Sequence, residues 1–189
     1  MALLSDLHID SDWTLFLDRD GVINKKRDND YVKSTNEFEF LPGSLEAMAL
    51  LAKAFRTIVV VTNQQGIGKG LMSEAELSEV HNGMLEQIRT HGGRIDAVYF
   101  APWLKEQNHP ERKPGTGMAE KAQRDFPSID FHKSVMAGDS LSDIEFGKKA
   151  GMKTVFIGTA VAAIADRTPD FVFPSLLSFA NALVETNTR

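Results

Sequence analysis

Trp13-Thr-Leu-Phe-Leu-Asp-Arg-Asp-Gly21 is the stretch that decides how this chain folds. The apolar run from Trp13 to Leu17 reads as a strand, and it ends in two carboxylates, Asp18 and Asp20, two residues apart. Burying one unpaired carboxylate disfavours its charged form, and two close together repel. Something positive should sit between them, and Mg²⁺ held by carboxylate and backbone oxygens answers that need. A plainer reading stays open here: a polar strand-to-loop turn with Gly21 at a strained φ.

Three later segments shift the balance. Thr62-Asn63-Gln64 follows Thr57-Ile-Val-Val-Val61, a β-branched run suited to a buried parallel strand. A hydroxyl and backbone N–H groups at that strand end can bind a phosphate oxygen, although Thr62-Asn63 would serve equally as a cap or turn. Gln65-Gly-Ile-Gly-Lys-Gly70 lacks the spacing and the Lys-Ser/Thr ending of a P-loop, so its glycines read as turn residues leading to a helix at Ser73. Arg112-Lys113-Pro114 places two cations before a proline, which pushes the preceding backbone out of helix. Gly138-Asp139-Ser-Leu-Ser-Asp143 follows the short strand Ser134 to Ala137. Asp139 sits at the strand end, while Asp143 falls in the first turn of the next helix, where a charge favouring the helix dipole is common.

The coarse order is strand, helix, strand, helix. Strands are predicted near 13–18, 57–62, 96–101, 134–138, 154–157 and 170–173, and helices near 43–54, 73–91, 116–125, 141–150 and 175–186. This alternation implies an α/β fold: a three-layer, Rossmann-like, mostly parallel sheet with helices on both faces. In such sheets ligands bind beyond the carboxyl ends of the strands, where Asp18, Thr62 and Asp139 would meet. One domain spanning residues 1–189 is expected, with 1–12 as an N-terminal extension.

In that order, Asp18-x-Asp20-Gly21, Thr62-Asn63, Lys113-Pro114 and Gly138-Asp139-x-x-x-Asp143 resemble the four motifs of the haloacid dehalogenase superfamily of phosphohydrolases. The longer stretches Phe16 to Asn24, Phe38-x-Phe-x-Pro-Gly43, Val60 to Ile67 and Arg112 to Gly115 resemble its heptose-bisphosphate and histidinol-phosphate phosphatase branch. The resemblance implies a Mg²⁺-dependent phosphomonoesterase acting on a small phosphorylated metabolite, a heptose bisphosphate foremost and histidinol phosphate as the alternative. It makes Asp18 the nucleophile that becomes an aspartyl-phosphate, and Asp20 the general acid and then base. The metal would be held by the Asp18 carboxylate, the Asp20 backbone carbonyl and Asp139, with Asp143 behind them or reaching the metal through water. Thr62 and Lys113 would stabilise the phosphoryl oxygens, Arg112 would hold the distal part of the substrate, and Asn24 and Asn63 would help orient it. No large cap is expected, because Gly21 to Pro42 holds only a short loop and Thr62 to Lys113 is filled by one helix, one strand and one loop.

The chain departs from that branch at two places. Relatives carry a structural zinc on Cys and His just before Arg-Lys-Pro; the matching positions here are Ala101, Trp103, His109 and Glu111. A tetrahedral site needs four ligands, and this stretch offers two at most, so no zinc is expected and Trp103 should hold the loop by packing. Ser140 stands where some relatives place a lysine. A receiver-type phosphoacceptor also clusters acids with a Thr and a Lys, but the Asp18-x-Asp20 spacing and Lys113 preceding Asp139 argue against it. A phosphosugar-binding protein without catalysis is disfavoured by four intact motif positions.

Composition narrows the partners. With 42% hydrophobic and 25% charged residues, 189 residues can bury an ordinary core. A net charge of −5 with no long basic run argues against nucleic acid. The lack of cysteine rules out disulfides and a thiol nucleophile and is compatible with a cytoplasmic location; a monomer is expected. Met1 to Asp12 lacks the basic and apolar pattern of a signal peptide, and no apolar run approaches a membrane span. His8, His81, His91 and His132 read as structural, and the methionines as core filler.

Overall fold

The computed structural model describes residues 9–27, 30–159 and 168–187. Six strands form one parallel sheet: β1 (Thr14–Leu17), β2 (Thr57–Asn63), β3 (Ala97–Ala101), β4 (Ser134–Gly138), β5 (Lys153–Ile157) and β6 (Phe171–Phe173). Their order across the sheet is β3-β2-β1-β4-β5-β6, so β1 is central and hydrogen-bonds to β2 on one side and β4 on the other. Among the described residues six α-helices accompany them: α1 (Ser44–Ala54), α2 (Gln65–Gly68), α3 (Glu74–Thr90), α4 (Gly117–Asp125), α5 (Leu141–Ala150) and α6 (Leu176–Asn187). Each expected element lies within a residue or two of its predicted span. The exception is Gln65–Gly68, which forms a single helical turn in place of a plain loop. Gly66 lies against the Tyr31 ring, where a Cβ would approach to 2.9 Å. His8 and most of the N-terminal extension lie outside the described residues.

Alternation along the strands divides the core in two. Leu15 and Leu17 of β1, Ile58 and Val60 of β2, and Val135 and Ala137 of β4 pack on one face against Met48 and Leu51 of α1, Met84 and Ile88 of α3, and Phe179 and Leu183 of α6. Phe16, Val59, Val61 and Met136 point to the other face and pack against Met118 and Ala122 of α4 and Phe146 of α5. All four β1 residues are buried, as a central strand covered on both faces requires. A fully buried side chain of this size contributes about 1.5–3 kcal/mol of hydrophobic free energy, which anchors the floor under the site.

The register then fixes the site. Leu17 is paired with Val60 and with Ala137, and Asp18 N–H donates to Ala137 O at 3.0 Å. The next residues along β1, β2 and β4 therefore emerge side by side at the carboxyl edge. Among the described residues, the segment between β1 and α1 contains one short 3₁₀ turn, Thr35–Glu37, and two isolated bridges, so no cap domain is inserted there. The segment from Gln64 to Arg112 contains only α2, α3, β3 and the 3₁₀ turn Lys105–Gln107.

Candidate active site

A cleft of about 220 Å³ opens at the carboxyl edge of the sheet, lined by Asp18, Asp20, Lys26, Thr62, Asn63, Arg112, Lys113, Ser140 and Ser142. Sequence expectation and structure meet here: residues from β1, β2, the segment before α4 and the start of α5 converge.

Lys113 is buried between carboxylates. Its ammonium lies 2.9 Å from Asp18 Oδ1 and 2.6 Å from Asp143 Oδ1, and it donates to Val61 O at 2.7 Å. All three ammonium protons thus have a partner. Asn63 clasps the same residue by its backbone: Nδ2 donates to Lys113 O at 3.1 Å, and Lys113 N–H donates to Oδ1 at 3.0 Å. Asn63 thus anchors the Lys113 backbone while still lining the cleft, where the sequence reading expects it to contact substrate.

Asp143 is fully buried. Its Oδ2 accepts from Ser140 N–H at 3.0 Å and Ser140 Oγ at 2.6 Å, closing the first turn of α5, while Oδ1 faces Lys113. Gly138 makes room for it; a Cβ there would meet the Asp143 carboxyl at 2.4 Å. Asp139 lies opposite, its Oδ2 reached by Lys26 Nζ at 3.1 Å and its Oδ1 buried without a partner. Gly21 sits at φ 87°, and a Cβ on it would come within 2.1 Å of Asp139 Oδ2, so both conformation and space exclude a side chain there.

Carboxylate oxygens of Asp18, Asp139 and Asp143 lie within 4.8 Å of one another. Burial, then repulsion from Asp143, lifts the Asp18 carboxyl to about 7 despite Lys113. Burial and Asp143 also raise Asp139, against the pull of Lys26. Lys113 itself is held charged: burial disfavours its ammonium, but Asp143 and Asp18 outweigh that and raise its pKa. The cluster therefore carries more negative charge than its lysines offset. An orphaned oxygen on Asp139 and an all-oxygen donor set fit a hard divalent cation.

Asp20 is treated differently. Its Oδ1 accepts from Arg19 Nη2 at 3.0 Å and Asn24 Nδ2 at 3.0 Å, and its Oδ2 accepts from Gln64 Nε2 at 2.8 Å. Burial pushes the Asp20 carboxyl up, but the Arg19 charge and the bonds from Asn24, Arg19 and Gln64 more than reverse this, and the net displacement is downward. Asn24 is fully buried with Nδ2 spent on Asp20 and on Lys25 O, so it orients Asp20 from behind and does not face the cleft, contrary to the sequence expectation of substrate contact. Gln64 Nε2 also donates to Thr62 Oγ1 at 2.9 Å, which leaves the single hydroxyl proton of Thr62 to point elsewhere.

Beside the cleft is a second basin of about 510 Å³ that shares Asn63, Arg112, Lys113 and Ser142 with it and adds Lys105, His109 and Lys149. Arg112 is half-buried at the junction, with Nη1 donating to Trp103 O at 3.2 Å. Trp103 stacks on His109 with ring centroids 4.0 Å apart. His109 Nδ1 accepts from Glu111 N–H at 3.2 Å, and Glu111 pairs with Lys121 at 2.6 Å. Sequence reasoning did not assign Lys26 or Gln64. Gln64 lay inside a quoted motif, but Lys26 sat in a charge-rich loop whose fold gave no period to read.

A parallel sheet with an Asp-x-Asp pair on its central strand, facing a buried lysine and a second acidic strand end, defines a haloacid-dehalogenase-type hydrolase. Residues 111–179 match the HAD-hydrolase-like family model. A D-glycero-alpha-D-manno-heptose-1,7-bisphosphate 7-phosphatase of Mycobacterium tuberculosis is 38% identical over 177 residues, covering 90% of this chain and 91% of that protein. A D-glycero-beta-D-manno-heptose-1,7-bisphosphate 7-phosphatase of Neisseria meningitidis serogroup B is 35% identical, covering 92% and 96%. Among solved structures, D,D-heptose 1,7-bisphosphate phosphatase from B. bronchiseptica, complexed with magnesium and phosphate, aligns with a TM-score of 0.82 at 32% identity over 92% of this chain and 98% of that one. The chain belongs to the heptose-bisphosphate phosphatase family of haloacid-dehalogenase-like hydrolases, and it is a phosphatase.

Proposed function

We propose that the chain is a Mg²⁺-dependent phosphatase that removes one phosphate from a heptose 1,7-bisphosphate. The observation that carries the choice of a bisphosphate is the basin beside the catalytic cleft, where Lys105, Arg112 and Lys149 surround room for a second anionic group. A guanidinium at the junction presents a planar fork suited to phosphate. Histidinol phosphate would bring a cation toward these three cations, and charge disfavours it. The two anomers named among the relatives differ at the carbon bearing the distal phosphate, and the basin walls are where they would be told apart.

In this reading Asp18 attacks phosphorus through the oxygen not held by Lys113, the P–O bond to the sugar breaks, and an aspartyl-phosphate forms. Asp20 delivers a proton to the departing sugar oxygen, then takes one from the water that cleaves the acyl phosphate and regenerates Asp18. Thr62 donates its hydroxyl to a phosphoryl oxygen, and Lys113 acts as a fixed positive charge beneath it. Bound by Asp18, Asp139 and the Asp20 backbone carbonyl, Mg²⁺ would offset the charge that builds on the phosphoryl group. Asp143, with both oxygens engaged, holds Lys113 in place.

The loop before Arg112 needs no zinc in this reading: His109 is stacked and hydrogen-bonded, and Glu111 is paired with a lysine. Elemental analysis should find no stoichiometric zinc. The test of substrate class is phosphate release with Mg²⁺ from both heptose 1,7-bisphosphate anomers, a heptose 7-phosphate and histidinol phosphate. A bisphosphate should have the highest kcat/KM, and Arg112→Ala should raise its KM about tenfold while changing that of the monophosphate little. Higher kcat/KM on histidinol phosphate would reject the assignment.

A further inference from the structure

Leu77, Val80, Met84 and Ile88 form the buried stripe of α3, and His81 lies within it, 7% exposed. A histidine in a core stripe loses its hydration and must recover that cost from a partner. The partner is Arg19, which is wholly buried and lies between the two acids of the Asp18-Arg19-Asp20 turn. Arg19 Nη1 lies 3.0 Å from His81 Nε2, and Arg19 Nη2 lies 3.0 Å from Asp20 Oδ1. A guanidinium has only donors, so His81 Nε2 must accept, which makes the imidazole neutral with its proton on Nδ1. Burial, then the Arg19 charge, pushes the imidazolium down to about 3, in agreement. Phe100 of β3 flanks the ring, with centroids 6.4 Å apart.

The geometry points to His81 as a positioning residue for the general acid: it fixes one arm of the Arg19 fork so that the other arm holds Asp20 Oδ1, and Oδ2, which also accepts from Gln64 Nε2, faces the leaving oxygen. The guanidinium is planar, so fixing Nη1 fixes the direction of Nη2. Arg19 Nε has no hydrogen-bond partner, and the fork is therefore held only through its two terminal nitrogens. Without His81 the plane can swing about the Nη2 contact. Asp20 would keep Asn24 on Oδ1 and Gln64 on Oδ2, but the carboxylate would lose the fixed charged donor that steadies its orientation. This role rests on the reading of Asp20 as the acid. It also explains why a polar residue occupies an otherwise apolar stripe.

Leaving-group dependence tests it, because only a residue that acts on proton delivery distinguishes poor from good leaving groups. Wild type, His81→Leu, His81→Gln and Asp20→Asn are assayed with an alkyl phosphomonoester and with p-nitrophenyl phosphate. His81→Leu is expected to lose about tenfold in kcat on the alkyl ester and under about twofold on the aryl ester. His81→Gln, whose Oε1 falls about where Nε2 lies, should return both to within about twofold of wild type. Equal losses on both esters, or no rescue by glutamine, would overturn the proposal. Should the leucine variant not fold, ¹⁵N NMR of the wild type decides: unprotonated Nε2 from pH 5 to 8 supports the proposal, and a protonated Nε2 rejects it. Asp20→Asn separates the two levels. If it too shows no leaving-group dependence, the acid assignment fails; if only His81→Leu lacks it, the assignment stands and the positioning role alone is lost.

Discussion

Asp18 and Asp20 are two residues apart on one turn, yet their surroundings push them in opposite directions. Around Asp18 the neighbours are mostly other carboxylates, Asp139 and Asp143, with Lys113 as the close cation, and its carboxyl is raised to about 7. Around Asp20 the neighbours are donors, Arg19, Asn24 and Gln64, and its carboxyl is held low. The first environment holds more carboxylates than cations, and a divalent cation would complete it. The second is complete within the protein. Pairs of acids whose surroundings separate their pKa values can divide chemical roles between them; here a bound cation would bring Asp18 down to the ionised form a nucleophile needs, while the donors around Asp20 fix its orientation.

Asp18→Asn should have the largest effect. It removes the attacking oxygen and a metal ligand together, and kcat should fall at least about 10³-fold on every substrate. The same change should alter the pH dependence of stability. Because the folded carboxyl is raised from 3.8, its stabilising contribution is fully present below about pH 4 and is lost as pH rises through about 7. In EDTA, the wild type should therefore lose stability between pH 4 and 8 relative to Asp18→Asn, by up to about 4 kcal/mol. Added Mg²⁺ should narrow that gap at pH 8. A metal-free gap that does not change with pH would mean that Asp18 is not crowded, and the contrast with Asp20 would fail.

Asp20→Asn should come next, and its signature is selectivity. An alkyl phosphate should lose about 10²–10⁴-fold in kcat, whereas an aryl phosphate, which needs little protonation, should lose far less. The variant should be less stable than wild type near neutral pH and above, and the gap should close as pH falls, since a carboxyl held low contributes above its ordinary range and loses that contribution on protonation. If both esters suffer equally, Asp20 belongs with Asp18 as part of the metal-binding turn. Lys113→Met should then cost about 10²–10³-fold in kcat, the same on both esters, because it removes fixed charge and not a proton donor. It also leaves Asp18 and Asp143 buried without their ammonium, so a loss of about 3–5 kcal/mol is expected in metal-free thermal unfolding.

How much of this contrast was legible beforehand depended on the kind of signal. Strand ends were legible because β-branched and apolar runs terminate sharply at Asp18, Thr62 and Asp139, and a parallel sheet brings such ends together. The shortage of cations around Asp18 was legible for the same reason: close carboxylates are visible in the spacing. What surrounds Asp20 was not. Arg19, to which the sequence assigned no role, is wholly buried, and its partner His81 is more than sixty residues away on a helix face. The period of α3 marks His81 as inward-facing, but no period says which buried group it meets. Asn24 and Asn63 were recognised as belonging to the site, but the protein groups they hold were not. An amide that grips a backbone and an amide that grips a substrate look alike in one dimension.

Those two asparagines give the smallest and most discriminating comparison. Asn63 serves the Asp18 side, through its two bonds to the Lys113 backbone. Asn24 serves the Asp20 side, through one bond to Oδ1. Asn63→Ala removes two hydrogen bonds and should cost about 1–3 kcal/mol of stability. With Lys113 less well placed, kcat should fall about three- to tenfold, equally for alkyl and aryl esters. Asn24→Ala leaves Arg19 and Gln64 on Asp20, so its effect should be smaller, about two- to fivefold, and confined to the alkyl ester. Paired measurement of both variants on both esters reads the partition directly. Uniform losses from Asn24→Ala, or ester-selective losses from Asn63→Ala, would show that the two sides of the turn are mechanically joined, and that a residue behind one acid also sets the position of the other.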